Sequence, residues 1–244
     1  MEASEFWFLA LIALTAFCYS SVGHGGASGY LALLAVFGMH QQQMRSSALV
    51  LNVLVAAIAF YHFARSGFFS WKLFYPFAVS SVPMAFLGGM FTVETALYRK
   101  ILGVCLLLTV VRMIGFKTVR NDSRKFLPFQ GILTGGFIGF ISGLIGIGGG
   151  VLLSPLILLM RWSDVKQTAA VSALFIAVNS VSGLAGIAHA RQFEMSSQVV
   201  FWIAAAASGG IAGSYAGTTR FSFPAMKAML ALVMLIASTK LIFS

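Results

Sequence analysis

Two glycine clusters concentrate the chemistry of this sequence. The first runs Gly23-His-Gly-Gly-Ala-Ser-Gly29 and the second Gly146-Ile-Gly-Gly-Gly150, each set between apolar runs. Glycine permits backbone turns that other residues avoid. A helix that starts after such a turn, inside an apolar medium, presents unpaired N–H groups and the positive end of its dipole. Those donors need partners where water is absent, and a bound anion supplies them. The donors this predicts are the backbone N–H groups of Gly25, Gly26, Ala27 and Ser28 in the first break, with the Ser28 hydroxyl beside them. In the second break they are those of Gly148, Gly149, Gly150 and Val151. Close helix packing is the competing reading, since small residues also line helix–helix contacts in membranes.

His24 is the titratable residue inside a break. It could pair with an anion or carry a coupling proton, because its reference pKa lies near neutrality. It could equally be a neutral histidine bonded to backbone that the break has freed. Ile147 stands at the matching place in the second cluster, so His24 belongs to no symmetric pair. Further along, Asn52, Ser46 and Ser47 occupy one apolar run, and Ser172, Asn179, Ser180 and Ser182 another. Amides and hydroxyls can donate to an anion without the desolvation cost of a charge. Asn52, Ser47, Ser172 and Asn179 are therefore candidate substrate ligands, with interhelical hydrogen bonding as the alternative for each. His62, His189, Arg65 and Arg191 fall at the far ends of these runs and read as interfacial anchors.

Glu94, Asp164 and Glu194 all sit at the ends of apolar segments. A carboxylate proton relay or a cation site at mid-membrane therefore has no obvious residues, which favours an anionic substrate. Coupling to protons through His24, to sodium through backbone carbonyls, or to neither stays open. No cofactor or metal is implied. Enzyme readings fail on spacing. His24-Gly-Gly-Ala has no G-x-S-x-G elbow to serve. Gly146-Ile-Gly-Gly-Gly lacks the Lys-Ser/Thr of a phosphate loop. A Ser28–His24 dyad would need a continuous helix, and glycines interrupt it.

The medium around these groups follows from composition. Of 244 residues, 59% are hydrophobic and 9% charged, against about 25% charged in a soluble domain. Residues 6–44, 46–64, 73–93, 126–160, 167–190 and 195–219 carry no charge, long enough to span a bilayer. The net charge of +10 arises from few acids, 6 against 16 basic residues, and not from a basic patch. Nucleic-acid binding is excluded on that ground, and the Lys and Arg residues mark cytoplasmic loops and contacts with anionic lipid. Glu2 and Glu5 argue against reading the first apolar run as a signal peptide. Cys18 and Cys105 lie in apolar runs and read as small buried residues. The expectation is an all-α, multi-pass protein of a bacterial cytoplasmic (inner) membrane.

The chain also repeats itself at an offset of about 123 to 128 residues. Gly23-His-Gly-Gly answers Gly146-Ile-Gly-Gly, Ser47-Ala-Leu answers Ser172-Ala-Leu, and Ala64-Arg65 answers Ala190-Arg191. The first repeat, 1–115, is predicted to hold helices at 5–22, 26–39, 46–64, 72–92 and 97–115. A basic cytoplasmic linker follows at 116–126. The second repeat, 127–244, holds 127–145, 149–161, 168–190, 197–217 and 223–243. The second segment of each half reaches about 20 Å, short of a hydrocarbon core of about 30 Å, so it reads as a half-helix. Counting every segment as a crossing places Arg65, Lys72, the run Arg112 to Lys125, Arg161, Lys166, Arg220 and Lys227 inside. It leaves Arg45, Arg99, Lys100, Arg191 and Lys240 outside. The positive-inside rule prefers that count, and five segments per half make the repeats inverted. Re-entrant half-helices and eight full spans are the alternative.

The second half resembles the TauE/SafE family of membrane permeases. The resemblance rests on Gly146 to Pro155, on the Ala-Val-Ser-Ala-Leu string that follows, on Ser180 to Gly183 and on His189-Ala-Arg191. The first half reads as a degenerate copy, with Ala32 where Pro155 stands. The resemblance implies transport, usually export, of sulfite or an organosulfonate. The expected partners are thus a small anion, the lipid bilayer, a coupling ion (proton or sodium) and a second copy in a homodimer. A passive anion channel and an intramembrane enzyme or assembly factor are the rival readings.

Overall fold

Uninterrupted apolar sequence with few strand signals folds here as helix. The computed structural model describes residues 3–115 and 126–219, with Leu235 and Thr239, and these contain no strand. The first half gives α1 (Ala3–Ser20), α2 (Ala27–Val36), α3 (Gln41–Arg65), α4 (Trp71–Met90) and α5 (Thr95–Gly115). The second gives α6 (Pro128–Ile145), α7 (Gly150–Leu159), α8 (Val165–His189) and α9 (Val199–Thr219). The predicted helix at 223–243 and the linker at 116–125 lie outside the described residues.

Among the described residues, five helices, α3, α4, α6, α8 and α9, are long and apolar enough to cross a membrane. Large apolar side chains such as Trp71, Tyr75, Phe129, Phe137, Phe201 and Tyr215 point outward on these helices and their approaches, as lipid-facing surfaces require. α2 and α7 have ten residues each, or about 15 Å. α2 stops short of its predicted end at residue 39 because Gly38 turns left-handed at φ 75°. α3 begins earlier than the predicted residue 46, at Gln41, where Gln and Met are good helix formers.

Helix packing is exchanged between the halves. α1 packs on α9, and α6 packs on α4, so the first helix of each half lies against the fourth helix of the other. α3 and α8, the third helices, pack on each other at the centre. Two glycine seams set the outer pairs. On α6, a side chain at Gly135, Gly139 or Gly143 would strike the backbone carbonyls of Phe77, Ser81 or Ala85 on α4. On α9, side chains at Gly209, Gly213 and Gly217 would strike the carbonyls of Ala13 and Phe17 on α1 and of Ser21 just beyond its end. The spacing of four keeps each row on one face, so backbones meet directly.

Arg45 corrects the charge count made on the sequence. The sequence places it among the outer loop cations, yet it is 1% exposed in the first turns of α3. Its guanidinium donates to the carbonyls of Phe91 at 3.3 Å, Gly89 at 3.3 Å and Gly143 at 3.1 Å. These lie at the C-terminal ends of α4 and α6, where helix dipoles present negative charge. The cation thus ties three helix ends together.

Candidate functional site

Both short helices open as the glycine clusters require. The N-cap of α2 is Gly26 at φ 98° and that of α7 is Gly149 at φ 78°, both left-handed. Neither N-cap has a side chain to satisfy the first N–H groups. Asn52, fully buried on α3, does part of this from a distance: its Oδ1 accepts from Ala27 N at 3.1 Å.

The same amide faces the second break. Asn52 Nδ2 donates to Ser180 Oγ on α8 at 2.9 Å. A side chain at Gly25 would overlap Asn52 Oδ1, and one at Gly148 would overlap Asn52 Nδ2. One amide therefore lies between the two glycine clusters, and its closeness explains why each has glycine there. The flanking contacts match in the same way. Gly23 packs on Ala169 of α8, and Gly146 packs on Arg45 of α3.

His24 reaches from the first break to the second short helix. Its Nδ1 lies 3.0 Å from Val22 O, a hydrogen bond made by the tautomer that carries its hydrogen on Nδ1. Its Nε2 lies 3.2 Å from Gly150 O and 2.9 Å from Ser154 Oγ. Ser154 Oγ also stands 3.0 Å from Gly150 O and 2.8 Å from Ser172 Oγ. The serine has one hydrogen for three acceptors. In the neutral Nδ1–H tautomer, Ser154 donates to Nε2. With His24 protonated, Nε2 donates instead, and the Ser154 hydrogen turns to Ser172. Protonation thus reverses a hydrogen-bond chain that links both halves. The matching places in the other half hold Ile147, Leu31 and Ser47, so the chain exists on one side only.

The remaining candidates divide. Ser28 is buried with its hydroxyl on Tyr19 Oη at 2.9 Å. Gly150 and Val151 form the first turn of α7. Asn179 donates to Phe175 O at 2.8 Å, in its own helix, while its buried Oδ1 has no partner. Ser47 is fully buried with an unpartnered hydroxyl. His62, read as an anchor, reaches across to Ser214 on α9 at 2.6 Å. Ser154, Tyr30 and Ser142 were not among the candidates. Ser154 was legible, since it follows Gly150 by one helical turn. Nothing in the sequence separates Tyr30 from the apolar residues around it.

Apolar membrane-length helices, two half-length helices opening at glycine breaks and a buried polar centre between them define a helical membrane transporter. The particular family follows from comparison: residues 8–241 match the family described as Sulfite exporter TauE/SafE, and the chain belongs to it. The chain is 33% identical over 233 residues to the probable membrane transporter protein y4hK of Sinorhizobium fredii, covering 93% of this chain and 94% of that one. It is 28% identical over 133 residues to the probable membrane transporter protein MJ0441 of Methanocaldococcus jannaschii, covering 52% and 49%. No solved structure matches. The protein is thus a multi-pass membrane transporter, of a family that is not an enzyme class.

Proposed function

We propose that this protein is a secondary transporter that exports a small sulfur-containing oxyanion, sulfite or an organosulfonate, across a bacterial inner membrane. The observation that carries the reading is Asn52, whose amide touches both glycine breaks. Two half-helix N-termini that share one buried amide present their positive ends to a common centre. Asn52, Ser172 and Ser180 offer polar groups there with no acid among them, which suits an anion. The exchanged helix packing supports two related halves, and inverted repeats rocking about this centre would give alternating access. His24 carries the coupling proton, because its protonation redirects the Ser154–Ser172 chain between the halves.

The test is binding and transport by the purified full-length protein. Sulfite, sulfate, sulfoacetate, taurine and isethionate are screened by thermal shift, then by counterflow in proteoliposomes. The reading expects selective stabilisation by one sulfur oxyanion and counterflow of that anion. Stabilisation without counterflow would favour a passive channel. The absence of stabilisation by any of the five, in folded protein, would overturn the substrate class.

A further inference from the structure

Tyr30 is 0% exposed, and its hydroxyl has no hydrogen-bond partner. Buried tyrosine hydroxyls ordinarily find one, and leaving a donor unmade is costly. Its position is specific. Helical side chains lean back toward the N-terminus, and Tyr30 stands one turn after the N-cap of α2. Its ring and hydroxyl therefore fold over Gly26, with Oη 2.9 Å from where a Gly26 side chain would begin. The donor is held at the start of the half-helix, where the dipole favours negative charge.

The second break has a counterpart built from a different helix. Ser142 on α6 is fully buried, and its hydroxyl also lacks a partner. Its Cβ lies 3.3 Å from where a side chain on Gly149, the N-cap of α7, would begin. Each N-cap glycine is one residue from the glycine that meets the Asn52 amide. The two side chains with unused hydroxyls thus stand beside the two half-helix starts, with the Asn52 amide between the breaks. Phenylalanine at 30 and alanine at 142 would pack the same space without a stranded polar group.

Resting on the oxyanion reading above, we propose that Tyr30 and Ser142 are substrate ligands, each donating an O–H to the anion at one half-helix start. Neutral donors on two sides suit an anion with acceptor oxygens facing each of them, such as a sulfite or sulfonate head. Tyr30 supplies the longer reach and the fixed direction. Ser142 donates over the second break, beside Gly149.

The experiment compares wild type, Tyr30→Phe and Ser142→Ala as full-length purified proteins. Melting temperature is measured without anion, and the Kd for sulfite and the four other anions is measured by titration. The expected result is a Kd for the preferred anion at least about tenfold weaker in each variant, as for a lost hydrogen bond to a charged group. The anion-free melting temperature is expected to stay or rise, because no protein partner is lost. An unchanged Kd in Tyr30→Phe and Ser142→Ala would overturn this assignment while leaving the oxyanion reading intact. A lowered anion-free melting temperature with unchanged Kd would show a structural hydroxyl and overturn it too. No binding by wild type would remove the oxyanion reading, and this assignment with it.

Discussion

Asn52 donates to Ser180 across the centre of the molecule at 2.9 Å, joining α3 of the first half to α8 of the second. The same side chain caps α2 through Ala27 N at 3.1 Å. Removing it therefore disturbs both halves at once. Asn52→Leu should lower stability by about 2–4 kcal/mol, the sum of a lost cap and a stranded buried partner. Asn52→Asp keeps the shape but sets a carboxylate between two helix N-termini. It should remain folded in a thermal melt and lose anion binding in the same sample. Retained binding in Asn52→Asp would show that the centre is not where the anion sits.

Gly148 and Asn52 should be strongly coupled. Gly148→Ala strains a backbone at φ 71° and drives a methyl into Asn52 Nδ2. Pairing it with Asn52→Ala removes the worst collision and leaves the lesser contacts to Ser180 Oγ at 2.8 Å and Ile176 Cγ2 at 3.0 Å, with the strain of about 1–2 kcal/mol. A double-mutant cycle in denaturant should show the pair less destabilised than the sum of the singles, by 1 kcal/mol or more on the usual order of contact coupling, ~0.5–3 kcal/mol. Simple additivity would contradict the contact.

Neighbouring glycines on α6 should respond oppositely. A methyl at Gly139 would strike the Ser81 carbonyl, whereas one at Gly136 would meet Ser80 Cβ at an ordinary 3.6 Å. Gly139→Ala should cost about 1–3 kcal/mol through overpacking. Gly136→Ala should be neutral or stabilising by up to ~1 kcal/mol from helix propensity. Melting temperatures of the two variants decide it, and equal losses would mean that the seam is not as close as described.

Arg45 should not tolerate lysine. Its fork donates to three carbonyls on two other helices, and an ammonium cannot reproduce that planar geometry. Arg45→Lys should lose at least one charged hydrogen bond, about 1.5–3 kcal/mol, measured by thermal unfolding in detergent. Arg45→Met should lose more, because the carbonyls of Gly89, Phe91 and Gly143 lose their shared donor. A stable Arg45→Met would place the side chain in solvent or lipid headgroups instead.

His24→Gln tests coupling separately from binding. Glutamine keeps hydrogen-bonding groups near Ser154 but cannot titrate in this range. Counterflow, which needs no net proton movement, should persist in proteoliposomes. Uphill transport driven by a pH gradient should disappear. A variant that still responds to the pH gradient would exclude His24 as the proton carrier and return attention to sodium.

The sequence by itself determined the medium, the helical class and the breaks. Long charge-free runs leave a bilayer as the only solvent that suits them, and in that solvent a chain must close its backbone bonds within helices. The clusters at Gly23 and Gly146 were legible because glycine in such runs has few other uses, and their recurrence marked the two halves. Only tertiary structure decided what meets what. Arg45 reads as a loop cation from its neighbours in sequence, and its burial depends on carbonyls contributed by α4 and α6. The glycine rows of α6 and α9 were present as spacings of four, but spacing does not say which helix they face. Asn52 and Ser180 became partners, while Asn179 turned to its own helix, because a one-dimensional repeat fixes the helix and not the rotation about its axis. That rotation is set by side-chain packing among helices distant in the chain, and it decides which polar groups reach the centre.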